Sequence, residues 1–322
     1  MRRVLVLGGT AWLGREVARV ALAAGAEVVC LARGVSGTVP DGARLVVADR
    51  TRPGAYADLD GEWDDVVELA YEPEPVESAL AALAGRARHW TLVSSVSVYR
   101  DNDAPGADEG AAVVDPVDLT DYAQAKVAAE RATAAALGER LHVVRPGLIV
   151  GPGDPSDRFG YWPARLLRGG QVLTPTLAGR HVQVIDVADL AAWIVTAGLR
   201  GAGGVVDAVG HSHPLTDVLA EIAAAAGVDG VRVPAEDEWL LARGVRHWAG
   251  PRSLPLWLPP DMGGMMQRSN AAYLAAGGSV RPLADTIARV LDDERERGLD
   301  RPRRSGLTAE EEHSLLADLA TP

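Results

Sequence analysis

Tyr122 and Lys126 stand four residues apart in the segment Tyr122-Ala123-Gln124-Ala125-Lys126, a spacing that puts both side chains on one face of a helix. A phenol with a pKa of about 10 exchanges protons poorly at neutral pH unless its anion is stabilised, and a nearby ammonium supplies that charge. The ammonium's three donors can also hold ribose hydroxyls. Lys126 is the only lysine among 32 basic residues; the other 31 are arginine. A guanidinium is wider, planar and more diffuse, so a lone lysine surviving here points to a task arginine cannot perform. Chance places a lone lysine four residues after one of the six tyrosines only about two per cent of the time. That disfavours a solvated helix lysine beside a core tyrosine.

Two other stretches carry chemistry. Trp90-Thr91-Leu92-Val93-Ser94-Ser95-Val96-Ser97-Val98-Tyr99 reads as a strand emptying into a loop with several hydroxyls. At the carboxyl end of a parallel strand a hydroxyl can hold a substrate oxygen beside the tyrosine, although serines there also serve as caps and turns. Gly8-Gly9-Thr10-Ala11-Trp12-Leu13-Gly14 lies between the first apolar run and the first helical one. Such a turn lets the backbone approach a pyrophosphate and aims a helix N-terminus at it. The second run ends in Leu31-Ala32-Arg33-Gly34 with no acidic residue for a ribose 2′-hydroxyl. Arg33 instead suits a 2′-phosphate, hence NADP(H) over NAD(H), and Asp49 can accept from an adenine amine.

These residues need a scaffold, and the pattern predicts one. Apolar β-rich runs at 4–7, 27–32, 45–48, 65–70, 90–94, 141–144, 183–185 and 205–209 alternate with helical spacing at 13–24, 76–84 and 122–137. Strands separated by helices of this length form βαβ units with a parallel sheet covered on both faces. From about residue 151 the alternation is interrupted by Gly-, Pro- and Trp-rich stretches, read as a smaller lobe with a helix at 215–226. The last segment is strongly charged, and Thr308-Ala309-Glu310-Glu311 is a capping box for a short helix.

Composition narrows the function classes. Hydrophobic residues make up 48% and charged residues 24% of 322 residues, which excludes disorder along the whole chain. A net charge of −12 argues against a nucleic-acid backbone as the main partner. The single cysteine, Cys30, allows no intrachain disulfide or Cys-based zinc site and suits a reducing interior. No apolar run approaches a membrane span or a signal-peptide core, so a cytoplasmic protein with no membrane partner is expected. His211-Ser212-His213 lacks a third ligand nearby, and no metal site is expected.

The phosphate loop, Ser95 four residues before Tyr99, Tyr122 with Lys126, Arg145-Pro146-Gly147-Leu148-Ile149-Val150-Gly151-Pro152 and Val184-Ile185-Asp186-Val187-Ala188-Asp189-Leu190 occur in one order. Together they resemble the extended-type short-chain dehydrogenases/reductases, the epimerase/dehydratase-like family, over roughly residues 1–295. The resemblance implies an α/β fold: a doubly wound parallel Rossmann sheet with a smaller C-terminal substrate lobe. It places the dinucleotide-binding domain at 1–165 with 183–212 returning to it, the lobe at 166–182 and 213–295, and a charged tail at 296–322. It implies Tyr122 as general acid/base, Lys126 as its pKa tuner and ribose ligand, and Ser95 as polariser of the reacting oxygen. Cofactor contacts are expected at Gly8, Thr10, Ala11, Trp12, Leu13, Gly14, Arg33, Asp49, Leu69, Ala70, Tyr122, Lys126 and Pro146. Ser97, Tyr99, Leu148, Tyr161 and Trp162 are the expected substrate contacts.

Departures from the family pattern narrow the chemistry. Ala11 replaces a usual glycine, which is expected to remodel the pyrophosphate contact. Val96 and Ser97 stand where sugar-nucleotide dehydratases carry an acidic pair. Leu148 and the Val182-Gln183 pair lack the groups that serve a nucleotide diphosphate, with Arg180 the compensating cation. The expected activity is NADP(H)-dependent hydride transfer to or from a carbonyl or alcohol of a small, partly apolar metabolite. The alternatives are a sugar or sugar-nucleotide epimerase retaining its cofactor, and a non-catalytic dinucleotide-sensing or RNA-binding protein. A homodimer is expected from the resemblance alone.

Overall fold

A computed structural model describes residues 1–229 and 231–321. The chain opens with β1 (Arg3–Leu7), α1 (Trp12–Ala23), β2 (Glu27–Ala32), β3 (Arg44–Val47), β4 (Asp65–Glu68), α2 (Pro73–Leu83), β5 (Trp90–Val93), α3 (Tyr122–Leu137) and β6 (Leu141–Pro146). There follow β7 (Leu148–Val150), α4 (Tyr161–Leu167), β8 (Gln171–Pro175), β9 (His181–Asp186), α5 (Val187–Arg200), β10 (Gly204–Ala208), β11 (Ser212–Pro214), α6 (Leu215–Ala226) and β12 (Val231–Ala235).

Seven strands form one sheet in the order β10-β6-β5-β4-β1-β2-β3, every pair parallel. The run-like apolarity of its strands follows from burial on both faces. Val4 and Val6 enter one core with α1 and α5, while Leu5 and Leu7 enter the other with α2 and α3. Val28 and Cys30 against Val29 and Leu31 repeat the alternation. The strand order reverses beside β1, between β2 and β4, and a crevice opens there at the carboxyl ends. The glycine turn Gly8–Gly14 follows β1 at that switch point.

The lobe has its own core. It gathers Leu148, Val150, Phe159, Leu166, Leu219, Ile222, Val290 and Leu315, so packing with the lobe begins at β7, and residue 165 falls inside α4. Small sheets β11-β9-β7 and β12-β8 brace it. The capping box forms, with Thr308 Oγ1 accepting from Glu311 N and Glu311 Oε2 from Thr308 N. The helix it starts, Ala309–Leu319, docks through buried Glu312, which pairs with Arg165 and accepts from Leu173 N at 3.0 Å. Among the described residues no helix is long and apolar enough to cross a membrane.

At the amino end of the sheet, His89 Nδ1 lies 2.7 Å from Asp65 Oδ1 and Nε2 2.6 Å from the Ala202 carbonyl. Two acceptors require two N–H donors, which only the imidazolium offers. Burial works to lower the His89 pKa, but the Asp65 carboxylate outweighs it and the pKa is raised. A raised folded pKa gives stability that is complete below the unfolded value and is lost as pH rises through the folded one. The melting temperature of the wild type is therefore expected to fall across that window relative to His89→Gln; parallel curves for the two would refute the charged ring.

Candidate active site

β1 ends at Leu7, and Gly8 turns the chain with φ +102° while its N–H donates to Leu31 O at 2.9 Å. Gly14 allows closeness: a Cβ there would lie 2.4 Å from Gly8 O and 2.8 Å from Leu69 Cδ1. α1 starts with no side-chain cap and no acidic residue in its first turn. Its first N–H groups and positive dipole end are therefore left for an anion, which fits a dinucleotide pyrophosphate. Ala11 departs from the family glycine without strain, because its φ is −80°. The Trp12 indole donates to Pro152 O at 2.8 Å, tying this loop to the segment that follows β7.

An outer groove of about 640 Å³ runs from the loop past Arg33, Ser36 and Asp49, with Leu69 and Ala70 on its other wall. Arg33 is exposed at the end of β2. One oxygen of Asp49 is committed to the Thr51 N–H and hydroxyl, 3.0 and 2.9 Å away. These bonds hold the Asp49 carboxyl below its usual range.

The inner cleft, about 560 Å³, brings together Trp12, Ser95, Ser97, Tyr122, Lys126 and Pro146. β5 delivers Ser95, whose Oγ accepts from Ser97 N at 3.1 Å and donates to Ser97 Oγ at 3.1 Å. Asp121 caps α3 by accepting from Gln124 N at 3.0 Å, which sets Tyr122 in the first turn and Lys126 one turn later. The Tyr122 side chain is 44% exposed, yet the cleft walls around its hydroxyl raise the phenol pKa, opposed by Ser95 and by the Arg158 charge.

Lys126 is 4% exposed, and its Nζ donates to Val93 O at 2.7 Å. Nζ lies 4.8 Å from the Tyr71 ring centroid and 5.8 Å from that of Tyr122. Burial lowers its pKa to about 8, against the pull of Glu68, Glu72 and Glu130. Glu68 is itself fully buried and salt-bridged to Arg50 at 2.6 Å.

Several expected substrate contacts lie elsewhere. Tyr99 is buried, donates to Asp207 Oδ1 at 2.7 Å and accepts from Arg145 Nη1 at 2.9 Å, with the Arg268 guanidinium 3.4 Å from its ring centroid. Tyr161 and Trp162, 1% and 0% exposed, pack edge-to-face in the lobe core, and the Trp162 indole donates to Pro255 O. These three aromatics fill the interior rather than the cleft: Tyr99 and Trp162 are buried with their polar tips partnered, whereas the Tyr161 hydroxyl is buried with no hydrogen-bond partner among the described residues. Arg180 is also spent: it donates to Thr176 O and Leu258 O at 2.7 and 2.6 Å and pairs with Asp237. It cannot stand in for a diphosphate-binding arginine. Ser97 and Leu148 do line the cleft.

Sequence reasoning missed Tyr71, which meets Tyr122 edge-to-face at 4.9 Å, and Arg158, Asp154, Ser156 and Met265 of the cleft wall; Trp248, from the Trp-rich later lobe, lines the cleft as well. Tyr71 had a signal, since it lies three residues past the carboxyl end of β4. Asp154, Ser156 and Arg158 come from the irregular segment between β7 and α4, and Met265 from a short 3₁₀ helix at Pro260–Met266.

The matching solved structures share this architecture over almost the whole chain. A candidate epimerase from Burkholderia cenocepacia J2315 is 25% identical, with TM-score 0.74, covering 92% of this chain and 98% of that one. The chain has the fold of the extended short-chain dehydrogenases/reductases. A UDP-glucose 4-epimerase of Thermus thermophilus in complex with NAD is 20% identical, with TM-score 0.64 and coverage of 91% and 99%. A UDP-N-acetylglucosamine 4-epimerase from Bacillus cereus is 16% identical, with TM-score 0.70 and coverage of 94% and 99%. No protein-family model and no curated protein matches the sequence.

Proposed function

We propose that the chain is an NADP(H)-dependent oxidoreductase acting on a carbonyl or alcohol of a small, partly apolar metabolite. The supporting observation is the single cleft that holds Ser95, Tyr122 and Lys126 beside an uncapped phosphate-binding helix. The glycine cradle, the Lys126 ammonium and the groove past Arg33 fit a nicotinamide dinucleotide, with Gly8, Thr10, Ala11, Leu13 and Gly14 around the pyrophosphate. When bound, that cofactor supplies or accepts the hydride.

The chain's own residues do the rest. Ser95 and Tyr122 hold the reacting oxygen, and the Tyr122 phenol gives it a proton in reduction or takes one in oxidation. Lys126 orients the ribose through its N–H donors and adds a positive charge that favours the phenolate. Leu69, Pro146 and Leu148 wall the cleft and keep water from the reacting carbon.

A melting-temperature comparison tests the cofactor directly. NADPH is expected to stabilise the protein more than equimolar NADH, and a carbonyl panel should then consume NADPH. Equal silence toward both dinucleotides would remove the reading. Arg33 carries the NADP preference: Arg33→Asp should weaken NADPH about tenfold or more while sparing NADH, since one charge-assisted phosphate contact is lost and a carboxylate for the 2′-hydroxyl is gained. An unchanged NADPH-to-NADH ratio in that variant would assign the preference elsewhere.

A second reading, epimerisation with retained cofactor, is favoured by the sugar-nucleotide epimerases among the similar folds. It predicts a dinucleotide that co-purifies with the protein and no net NADPH change on turnover. The apolar Leu148 and the committed Arg180 weigh against a nucleotide diphosphate in this cleft.

A further inference from the structure

Arg158 is a cation in the catalytic cleft that the mechanism above does not use. It lines the same wall as Ser95 and Tyr122, and among the described residues no carboxylate lies within ion-pair distance of it. Nearly every other buried or half-buried arginine here is committed: Arg145 to Glu130, Arg165 to Glu312, Arg268 to Asp207, Arg180 to Asp237. Desolvating a guanidinium without a partner is costly, so one held in a cleft wall implies a partner that arrives with the ligand.

The arginine is also built into place. Its Nε and backbone N–H both donate to Ser156 Oγ, at 3.2 and 3.3 Å. Ser156 in turn donates its hydroxyl to Asp154 Oδ2 at 2.9 Å. The guanidinium stands 5.0 Å over the Trp248 ring. With Nε and one face fixed, the terminal nitrogens are left for the cleft. Asp154, the carboxylate whose charge acts on Arg158, accepts from the Ser156 N–H and hydroxyl.

Two positions at the arginine use backbone that L-residues rarely adopt: Asp157, immediately before Arg158, has φ +57°, and Trp248, whose ring the guanidinium stands over, has φ +68°. Such conformations cost free energy and persist where surrounding structure enforces them, often at ligand clamps. Asp157 is enforced by the Arg301 guanidinium and by the Arg304 N–H at 2.8 Å. The C-terminal segment thus holds the arginine's loop in position from behind.

We propose that Arg158 is the anion-binding residue of the substrate cleft, so that the metabolite reaching Tyr122 carries a carboxylate or phosphate paired with the guanidinium. The substrate class rests on the oxidoreductase reading, although the anion site itself does not. A planar guanidinium with free terminal N–H groups matches either anion through two parallel hydrogen bonds. The pairing fixes one end of the substrate and leaves its carbonyl end to Ser95 and Tyr122.

The test is calorimetric titration of the NADPH-loaded protein with benzoate and, separately, inorganic phosphate at constant ionic strength. NADPH occupies the phosphate loop, so a phosphate signal then reports a second site. At least one anion is expected to saturate, with affinity about tenfold or more lower in Arg158→Met and NADPH affinity unchanged; which anion binds distinguishes a carboxylate from a phosphate substrate. Saturation by neither anion, or equal affinity in the variant, would overturn the proposal. A crystal structure of the wild type with the bound probe covers a variant that fails to fold: an anion on the Arg158 terminal nitrogens supports the site, and one seated elsewhere refutes it. If NADPH itself fails to bind, the cofactor reading fails on its own, and benzoate titration of the cofactor-free protein still judges Arg158.

Discussion

Tyr122→Phe is expected to lower turnover about 10²- to 10⁴-fold while NADPH binds as in the wild type. The range is that of a positioned acid/base group, and Phe retains the ring that meets Tyr71 edge-to-face. What it removes is the phenolic hydroxyl that shares the cleft with Ser95. The raised phenol pKa of the free protein means that the neutral donor is the resting form, ready for reduction. Oxidation needs the phenolate, whose stabilisation falls to Lys126. Rate loss should therefore accompany normal NADPH titration and an unchanged melting temperature. Full turnover in the variant would remove Tyr122 from the mechanism.

Lys126→Arg, conservative at any solvated position of this chain, is expected to cost about a hundredfold or more in turnover and to weaken NADPH. Nζ occupies a buried slot bounded by Val93 O and the Tyr71 ring; the wider guanidinium overfills it, and overpacked interiors distort their neighbours. A pKa lowered to about 8 by burial adds a pH signature. Below that value the side chain is an ammonium, and above it a neutral amine that neither favours the phenolate nor offers three donors. The ratio kcat/KM for NADPH reports the free protein and should fall as pH rises past about 8. Stability moves the other way. The unfolded lysine, with its ordinary value of 10.5, holds its proton longer than the folded one, so this residue's contribution rises with pH between about 8 and that value. Activity and stability that decline together across the window would show that the alkaline limb is unfolding instead.

Much of this site was legible in the sequence. Gly8 and Gly14, Ser95 at a strand end and the Tyr122–Lys126 pair are local patterns. A turn, a strand terminus and a helical spacing each act within a few residues, and parallel strand alternation then sets them on one edge of the sheet. The Thr308 capping box is local in the same way. The aromatic contacts were not legible. Tyr99, Tyr161 and Trp162 look alike in sequence whether they line a pocket or fill a core, and their burial depends on partners such as Asp207 and Pro255 far along the chain.

The sequence by itself determined the parallel sheet, the glycine turn after β1 and the place of the lone lysine, because each is written in the periodicity and spacing of neighbouring residues. Only the tertiary structure decided which charges are spent and which are free. Arg180 and Arg158 both lie in Gly/Pro-rich loops of the later chain. Long-range packing gives the first a carboxylate from Asp237 and holds the second, by Ser156 and Trp248, facing the cleft without one. Pairing is a property of three-dimensional neighbours, and that is why the arginine beside Tyr122 emerged from the fold rather than from its motif.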